Sequence, residues 1–265
     1  MLTLRKNLTL AAILGLALTA CTAAEASEQV STVSPSDEHA HWSYDGAQGP
    51  DNWADLDESY ATCATGTAQS PVDLPLPVDG ERTSEFTITT ERTKGYVEDN
   101  GHTVQFTDED EGSEITYAGK EYDLLQYHVH TPSEHTVNGE PAAAEFHFVH
   151  QAEDDSLLVL GVLATEGRYA GQWAPFVRNA QAERAEIRVN LARLLPRKLS
   201  HTAYQGSLTT PPCTEGVQWL VLDEPVELGA RQIEQLAGAH PHNSRGVQEL
   251  GDRELTGGRG IRLKD

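Results

Sequence analysis

Leu124-Leu-Gln-Tyr-His-Val-His-Thr-Pro-Ser-Glu-His135 is followed, after an Asn138-Gly139 pair, by Glu145-Phe-His-Phe-Val-His150. Alternate residues of an extended strand share a face. Gln126, His128 and His130 therefore fall on one face of the first segment, with Tyr127 and Val129 on the other. The second segment has the same phase. Glu145, His147 and Val149 lie together, and Phe146 and Phe148 oppose them. Asn-Gly between two such runs is a turn signal, so the segments are expected as antiparallel neighbours. Same-face residues sit about 6.6–7 Å apart along a strand, and adjacent strands about 4.8 Å apart. Three imidazoles on that grid can converge on one cation from a stiff floor.

Three neutral histidines with one open position is the donor set of catalytic zinc. A metal-bound imidazole usually donates its second N–H to a carboxylate, an amide or a backbone carbonyl. Gln126 stands two residues from His128, and Glu145 two residues from His147. His130 has no such neighbour and needs a backbone carbonyl. The competing reading is a polar strand face whose histidines happen to alternate; the matched phase of His147 and the two polar neighbours weigh against it. His39, His41, His201, His240 and His242 lack any such arrangement and are expected at the surface or in loops.

Strand signals dominate the surrounding chain. Phe86–Thr90, Thr103–Phe106, Leu124–His130, Glu145–His150, Leu157–Leu163 and Val217–Leu222 are β-branched or aromatic and bounded by Gly, Asn, Asp or Pro. Helical spacing is confined to short windows at Ala174–Gln181, Ile187–Leu194 and Ala230–Leu236. Many strands without βαβ alternation imply a mainly β fold: one large, twisted, mostly antiparallel sheet with short peripheral helices. No linker or repeat interrupts 41–265, which reads as one domain.

The N-terminus differs. Arg5 and Lys6 precede an apolar run, Leu8–Leu18, too short to span a bilayer and suited to a signal peptide over 1–20. Leu18-Thr-Ala-Cys21 resembles a lipobox, with cleavage before Cys21 and acylation of its thiol. Residues 21–40 lack hydrophobic periodicity and read as a tether. These features predict an exported, cell-envelope protein that meets membrane only through a lipid at Cys21. Cys63 and Cys213 then remain as an even pair in an oxidising compartment, and a disulfide is expected between them. On the loop-entropy model it constrains the unfolded chain by roughly 4–5 kcal/mol, an upper-end figure. The 265 residues are 38% hydrophobic and 23% charged, a composition that forms a real core. A net charge of −22 repels the phosphate backbones of nucleic acids, so no nucleic acid is expected as a partner.

Further motifs extend the pattern: His41-Trp-Ser-Tyr44, Gly49-Pro50 with Trp53, Gln69-Ser-Pro-Val-Asp73, Asn100-Gly-His102, Ser133-Glu-His135, Tyr204-Gln-Gly-Ser-Leu-Thr-Thr-Pro-Pro212 and Asn243-Ser-Arg245. Together with the histidines, in this order and spacing, they resemble the α-class carbonic anhydrases, particularly bacterial periplasmic members, from about His41 to Leu250. The resemblance implies reversible hydration of carbon dioxide to bicarbonate and a proton, by attack of zinc-bound hydroxide. It implies Zn2+ on His128, His130 and His147, with Gln126 and Glu145 supporting the ligands. Thr209 resembles the hydroxyl that donates to a buried carboxylate, here Glu134, and accepts from the nucleophile. His102 matches the family's proton shuttle, in a turn after Asn100-Gly101, with Asp99 expected to raise its pKa slightly. Val149, Val159, Leu208, Val217 and Trp219 resemble the apolar wall that holds CO2. Cys63 and Cys213 match the disulfide of secreted members. Relatives include dimers, so a monomer or homodimer is implied.

Two rival readings stay open. His128-x-His130-x3-Glu134 also matches the start of a cupin motif, which would make Glu134 a ligand and require a later histidine in a Gly-rich segment. A carbonic-anhydrase-like binding module without catalysis is the other, although such modules usually lose a ligand histidine.

Overall fold

The computed structural model describes residues 40–75, 83–110 and 112–263. The expectations for the leader, for the tether up to residue 39, and for Cys21 and His39 lie outside the described residues.

Alternating β-branched and aromatic residues set most of the architecture. The early strands are β1 (Asp73–Leu74), β2 (Ser84–Thr90), β3 (Arg92–Asp99), β4 (Val104–Asp108), β5 (Ser113–Tyr117) and β6 (Lys120–His130). Then come β7 (Thr136–Val137), β8 (Glu140–Pro141), β9 (Ala144–Gln151) and β10 (Leu157–Glu166). The last are β11 (Ala185–Asn190), β12 (Ser200–Ser207), β13 (Glu215–Leu228) and β14 (Thr256–Arg262). Between and around them lie short helices: α1 (Trp53–Leu56), α2 (Thr62–Thr65), α3 (Ala174–Arg178), α4 (Leu191–Leu194) and α5 (Ala230–Ala239). None is long and apolar enough to cross a membrane among the described residues.

Eleven strands form one mixed sheet in the order β11-β3-β4-β6-β5-β2-β14-β12-β13-β10-β9, and β6 also pairs with β9. The ladder therefore returns on itself through the histidine strand. Within it only β10–β13 and β14–β2 run parallel. Asn138 and Gly139 adopt φ of 52° and 86°, as a tight turn requires. That turn closes the small β7–β8 hairpin, and a longer excursion joins β6 to β9.

One face of the sheet packs on a core that contains Leu124, Tyr127, Val129, Phe146 and Phe148. Tyr127 sits 4.8–5.0 Å, ring to ring, from Phe106, Phe148 and Phe176, and Phe146 stacks on Trp173 at 3.9 Å. Such aromatic pairs each add about 0.5–1.5 kcal/mol beyond area burial. β6 keeps Leu124 and Tyr127 on this same face because an extra residue, Leu125, bulges between Leu124 and Gln126 and shifts the register. Leu125 itself is exposed.

Two expectations need correction. The window Ile187–Leu194 is not one helix: Ile187 and Val189 turn inward from β11, and only Leu191–Leu194 coils. Its Glu186 and Arg188 alternate with those apolar residues, so period two wins over period 3.6. His201 is not at the surface; it is fully buried in β12, against the Phe86 ring and 2.9 Å from Ser84 Oγ. β3, β5, β12 and β14 were not expected as strands at all. Cys63 and Cys213 are disulfide-bonded across a separation of 150 residues, and they pack with Trp53 and Tyr60.

Burial pushes the His150 imidazole down to about 4, against opposing hydrogen bonds to the Phe148 and Leu158 backbone. An unfolded histidine titrates near 6.5, so between pH 6.5 and about 4 the unfolded chain holds the extra proton. The stability carried by neutral His150 is complete above pH 6.5 and is lost as pH falls toward 4. His150→Leu should flatten that limb of the stability curve, by about 3 kcal/mol at pH 4. Urea unfolding of both proteins from pH 7 to 4 measures it; parallel curves would contradict it.

Candidate metal centre

His128 on β6 stands directly opposite His147 on β9, and His130 opposite Glu145. Cross-strand partners share a face, so the three imidazoles meet on the side away from the aromatic core. Ring centroids are 5.0 Å apart for His128–His130, 5.2 Å for His128–His147 and 4.6 Å for His130–His147. One ligating nitrogen from each lies within 4.8 Å of the other two. That bound accommodates three corners of a tetrahedral site, which lie about 3.4 Å apart for Zn–N bonds of 2.0–2.1 Å.

The remaining nitrogens are fixed. His128 Nδ1 is 2.9 Å from Gln126 Oε1, and His130 Nδ1 is 2.6 Å from the Asn243 carbonyl, the backbone partner that His130 needed. His147 Nε2 lies 3.1 Å from Glu145 Oε1, a close contact without hydrogen-bond geometry. Each ring thus presents a different nitrogen outward from the one it holds inward. His130 Nε2 is buried with no hydrogen-bond partner, the kind of orphan that a cation satisfies. Desolvation lowers all three imidazoles, His130 to about 4, with the neighbouring rings helping to lower His128 and His147. They are uncharged at neutral pH, which is the metal-binding form.

Glu145 anchors a buried chain that the motifs alone did not reveal. Burial pushes its carboxyl up, but His135 and His147 outweigh that and hold it well below the carboxylate range. Its Oε2 accepts the N–H groups of Glu134 and His135 at 3.0 and 2.9 Å, and its Oε1 is 2.7 Å from His135 Nδ1. His135 Nε2 lies 2.6 Å from the Tyr204 hydroxyl, which is 2.9 Å from Ser70 Oγ. His135, Glu145 and His147 also come close enough to hold an ion, but the His135–Glu145 hydrogen bond already occupies those atoms. On β10, Gly161 faces His147, and a Cβ there would come 3.1 Å from Glu145 Oε1.

Glu134 is buried beside the histidines. Its Oε1 accepts the Arg245 backbone N–H at 2.8 Å, and Thr209 donates its hydroxyl to the same carboxylate. Oε2 has no hydrogen bond and lies 3.5 Å from His130 Nε2 and 3.8 Å from His147 Nδ1. Burial pushes Glu134 up to about 7, opposed by His147, Arg245 and Thr209. The Arg245 guanidinium is tied to Gln69, Ser70 and the Cys63 carbonyl at 2.9 Å. Asn243 and Arg245 belong to a quoted motif, but nothing in the string told which of their atoms would act.

The five apolar positions gather as well. Val149, Val159, Val217 and Trp219 form one cluster, with Leu208 packed against it. Trp219 meets His147 edge-on at 4.8 Å. His102 stands apart, half-exposed in a turn with Gly101 at φ 89°. Its ring stacks on Trp42 at 3.7 Å and 9°, and its carbonyl accepts from Asn243. The expected upward pull of Asp99 is outweighed: burial first, then His41 and His240, lower the His102 pKa. Asp99 instead pairs with His240 Nε2 at 2.7 Å.

A family model for eukaryotic-type carbonic anhydrase matches residues 48–257. The chain belongs to the eukaryotic-type carbonic anhydrase family. A carbonic anhydrase of Neisseria gonorrhoeae is 37% identical over 220 residues, which cover 81% of this chain and 87% of that one. Among solved structures, the α-carbonic anhydrase of Thermovibrio ammonificans, in complex with the inhibitor sulfanilamide, matches with a TM-score of 0.77. It is 36% identical and covers 82% of this chain and 99% of its own. The α-carbonic anhydrase of Photobacterium profundum gives 0.76 at 34% identity, with coverages of 82% and 100%. The chain is accordingly an enzyme of the carbonic anhydrase class, and the cupin reading falls away.

Gln126→Ala should weaken the uptake of added Zn2+ by about 10–100-fold, because His128 loses the amide 2.9 Å from its Nδ1. Competition with a chelator reads this directly, and unchanged retention would show that Gln126 does not serve the ligand.

Proposed function

We propose that the protein catalyses the reversible hydration of carbon dioxide to bicarbonate and a proton, at a zinc ion held by His128, His130 and His147. The observation that carries this is the set of three uncharged imidazoles whose free nitrogens lie within 4.8 Å of one another beside an apolar cluster. Zinc bound there supplies a water acidified to a pKa of about 7, and hence hydroxide at neutral pH.

Thr209 gives its proton to Glu134, so its oxygen can only accept on the other side. A nucleophile next to it must then spend its own proton on that oxygen, which leaves a lone pair aimed at the substrate. This needs Glu134 ionised. Burial lifts it to about 7 against the pull of His147, Arg245 and Thr209, and a dication beside its free Oε2 would favour the charged form. Carbon dioxide has no charge and no strong donor, so Val149, Val159, Leu208, Val217 and Trp219 suit it as a receptor. His102 carries the released proton to solvent, its half-exposed ring held between Trp42 and water. The reading places the enzyme outside the cytoplasm, behind a signal peptide and tethered by a lipid on Cys21.

Stopped-flow hydration by the purified protein, with and without chelator, is the direct test: turnover that survives complete zinc removal would overturn the proposal. His147→Ala should abolish both zinc uptake and hydration. His102→Ala should slow turnover in weak buffer and recover with added imidazole; no rescue would remove His102 from the proton path. Thr209→Ala should lower hydration by about 10²-fold or more while zinc stays bound.

A further inference from the structure

The chain carries 41 acidic against 19 basic residues, yet one open cavity of about 870 Å³ is lined by five arginines and no carboxylate. Arg92 begins β3, Arg188 belongs to β11, Arg193 to α4, Arg197 follows α4, and Arg262 ends β14. Thirteen residues line this cavity, where the composition of the chain would supply about one cation. The clustering is built into the sheet. Arg92 is the cross-strand partner of Asn190, and Arg188 precedes Asn190 by two residues on the same face.

None of the five forms an ion pair among the described residues, whereas Lys94, Lys120, Arg168, Arg184 and Arg259 all do. Arg262 donates through Nη2 to the Pro196 carbonyl at 3.2 Å, but its Nε is buried without a partner. Unpaired guanidiniums that share a concave surface repel one another, and such a surface focuses a positive field. A guanidinium fork matches the oxygens of a phosphate group two at a time. A monovalent carboxylate or bicarbonate cannot answer five such charges, and the volume exceeds one phosphate group.

We propose that this arginine-lined cavity binds a phosphate-class polyanion bearing two or more phosphate groups, at a site that shares no residue with the histidine centre. The phosphates can come from a soluble oligophosphate or from the headgroups of an anionic membrane surface. Two arms separate these sources: calorimetric titration with inorganic tripolyphosphate, and co-sedimentation with phosphatidylcholine vesicles with and without phosphatidic acid. Binding in either arm should fall as salt rises.

The variant to use is Arg188→Gln with Arg193→Gln, since both side chains are exposed and free of ion pairs. It should weaken binding by about tenfold or more, with hydration activity and circular dichroism unchanged. Equal zinc content before and after titration separates the cavity from the metal centre. Tripolyphosphate binding lost in the variant supports a soluble ligand, and vesicle binding lost in the variant supports a headgroup. No binding in either arm, or binding that the variant leaves intact, overturns the proposal.

Discussion

His128 and His147 face each other across β6 and β9, and every other part of the centre is placed relative to that pair. A slip of one residue by β6 would carry His128 and His130 to the opposite face of the sheet and leave His147 behind. The register holds because the opposite face is committed to Tyr127, Phe146 and Phe148, which pack with Trp173 and Phe176. Aromatic burial on one side thereby fixes polar geometry on the other. The imidazoles need no loop to carry them, and a site built on paired strands is stiffer than one carried on loops.

Two buried carboxylates beside the same three rings are driven in opposite directions. Glu145 receives two backbone N–H groups and contacts two imidazoles, and it stays ionised despite its burial. Glu134 has one backbone N–H and one hydroxyl on a single oxygen, and burial lifts it to about 7. Environments that separate two neighbouring acids in this way divide their work. Glu145 holds His135 and the backbone of Glu134 in place beside His147, while Glu134 remains responsive to charge brought close to its free oxygen.

Much of this was legible in the string of residues. Period-two alternation located the histidine strands, and its phase brought Gln126 and Glu145 next to their rings. What escaped was of two kinds. His135, Tyr204, Asn243 and Arg245 act through contacts that reach across 69 to 182 positions of the chain, which no local pattern encodes. Short elements misled in the other direction. Ile187–Leu194 joins four strand residues to one helical turn, so its apolar spacing fits both periods. His201 looked solitary because its partners, Ser84 and Phe86, lie on β2, far away in sequence. Asp99 was near His102 in sequence, but its carboxylate was already engaged by His240.

Leu125 is the spare residue of β6, and it sits out in solvent where it displaces nothing. Upstream of it the inward positions have even numbers, as at Tyr122 and Leu124; downstream they are odd, as at Tyr127 and Val129. The strand is therefore two rulers joined at one flexible mark. Deleting Leu125 would merge them into one regular alternation, whereas pressing it into the ladder would oblige one half to turn over, exchanging oily rings for imidazoles. The placing of this one residue outside the ladder is as much a part of the chemistry as the identity of the histidines.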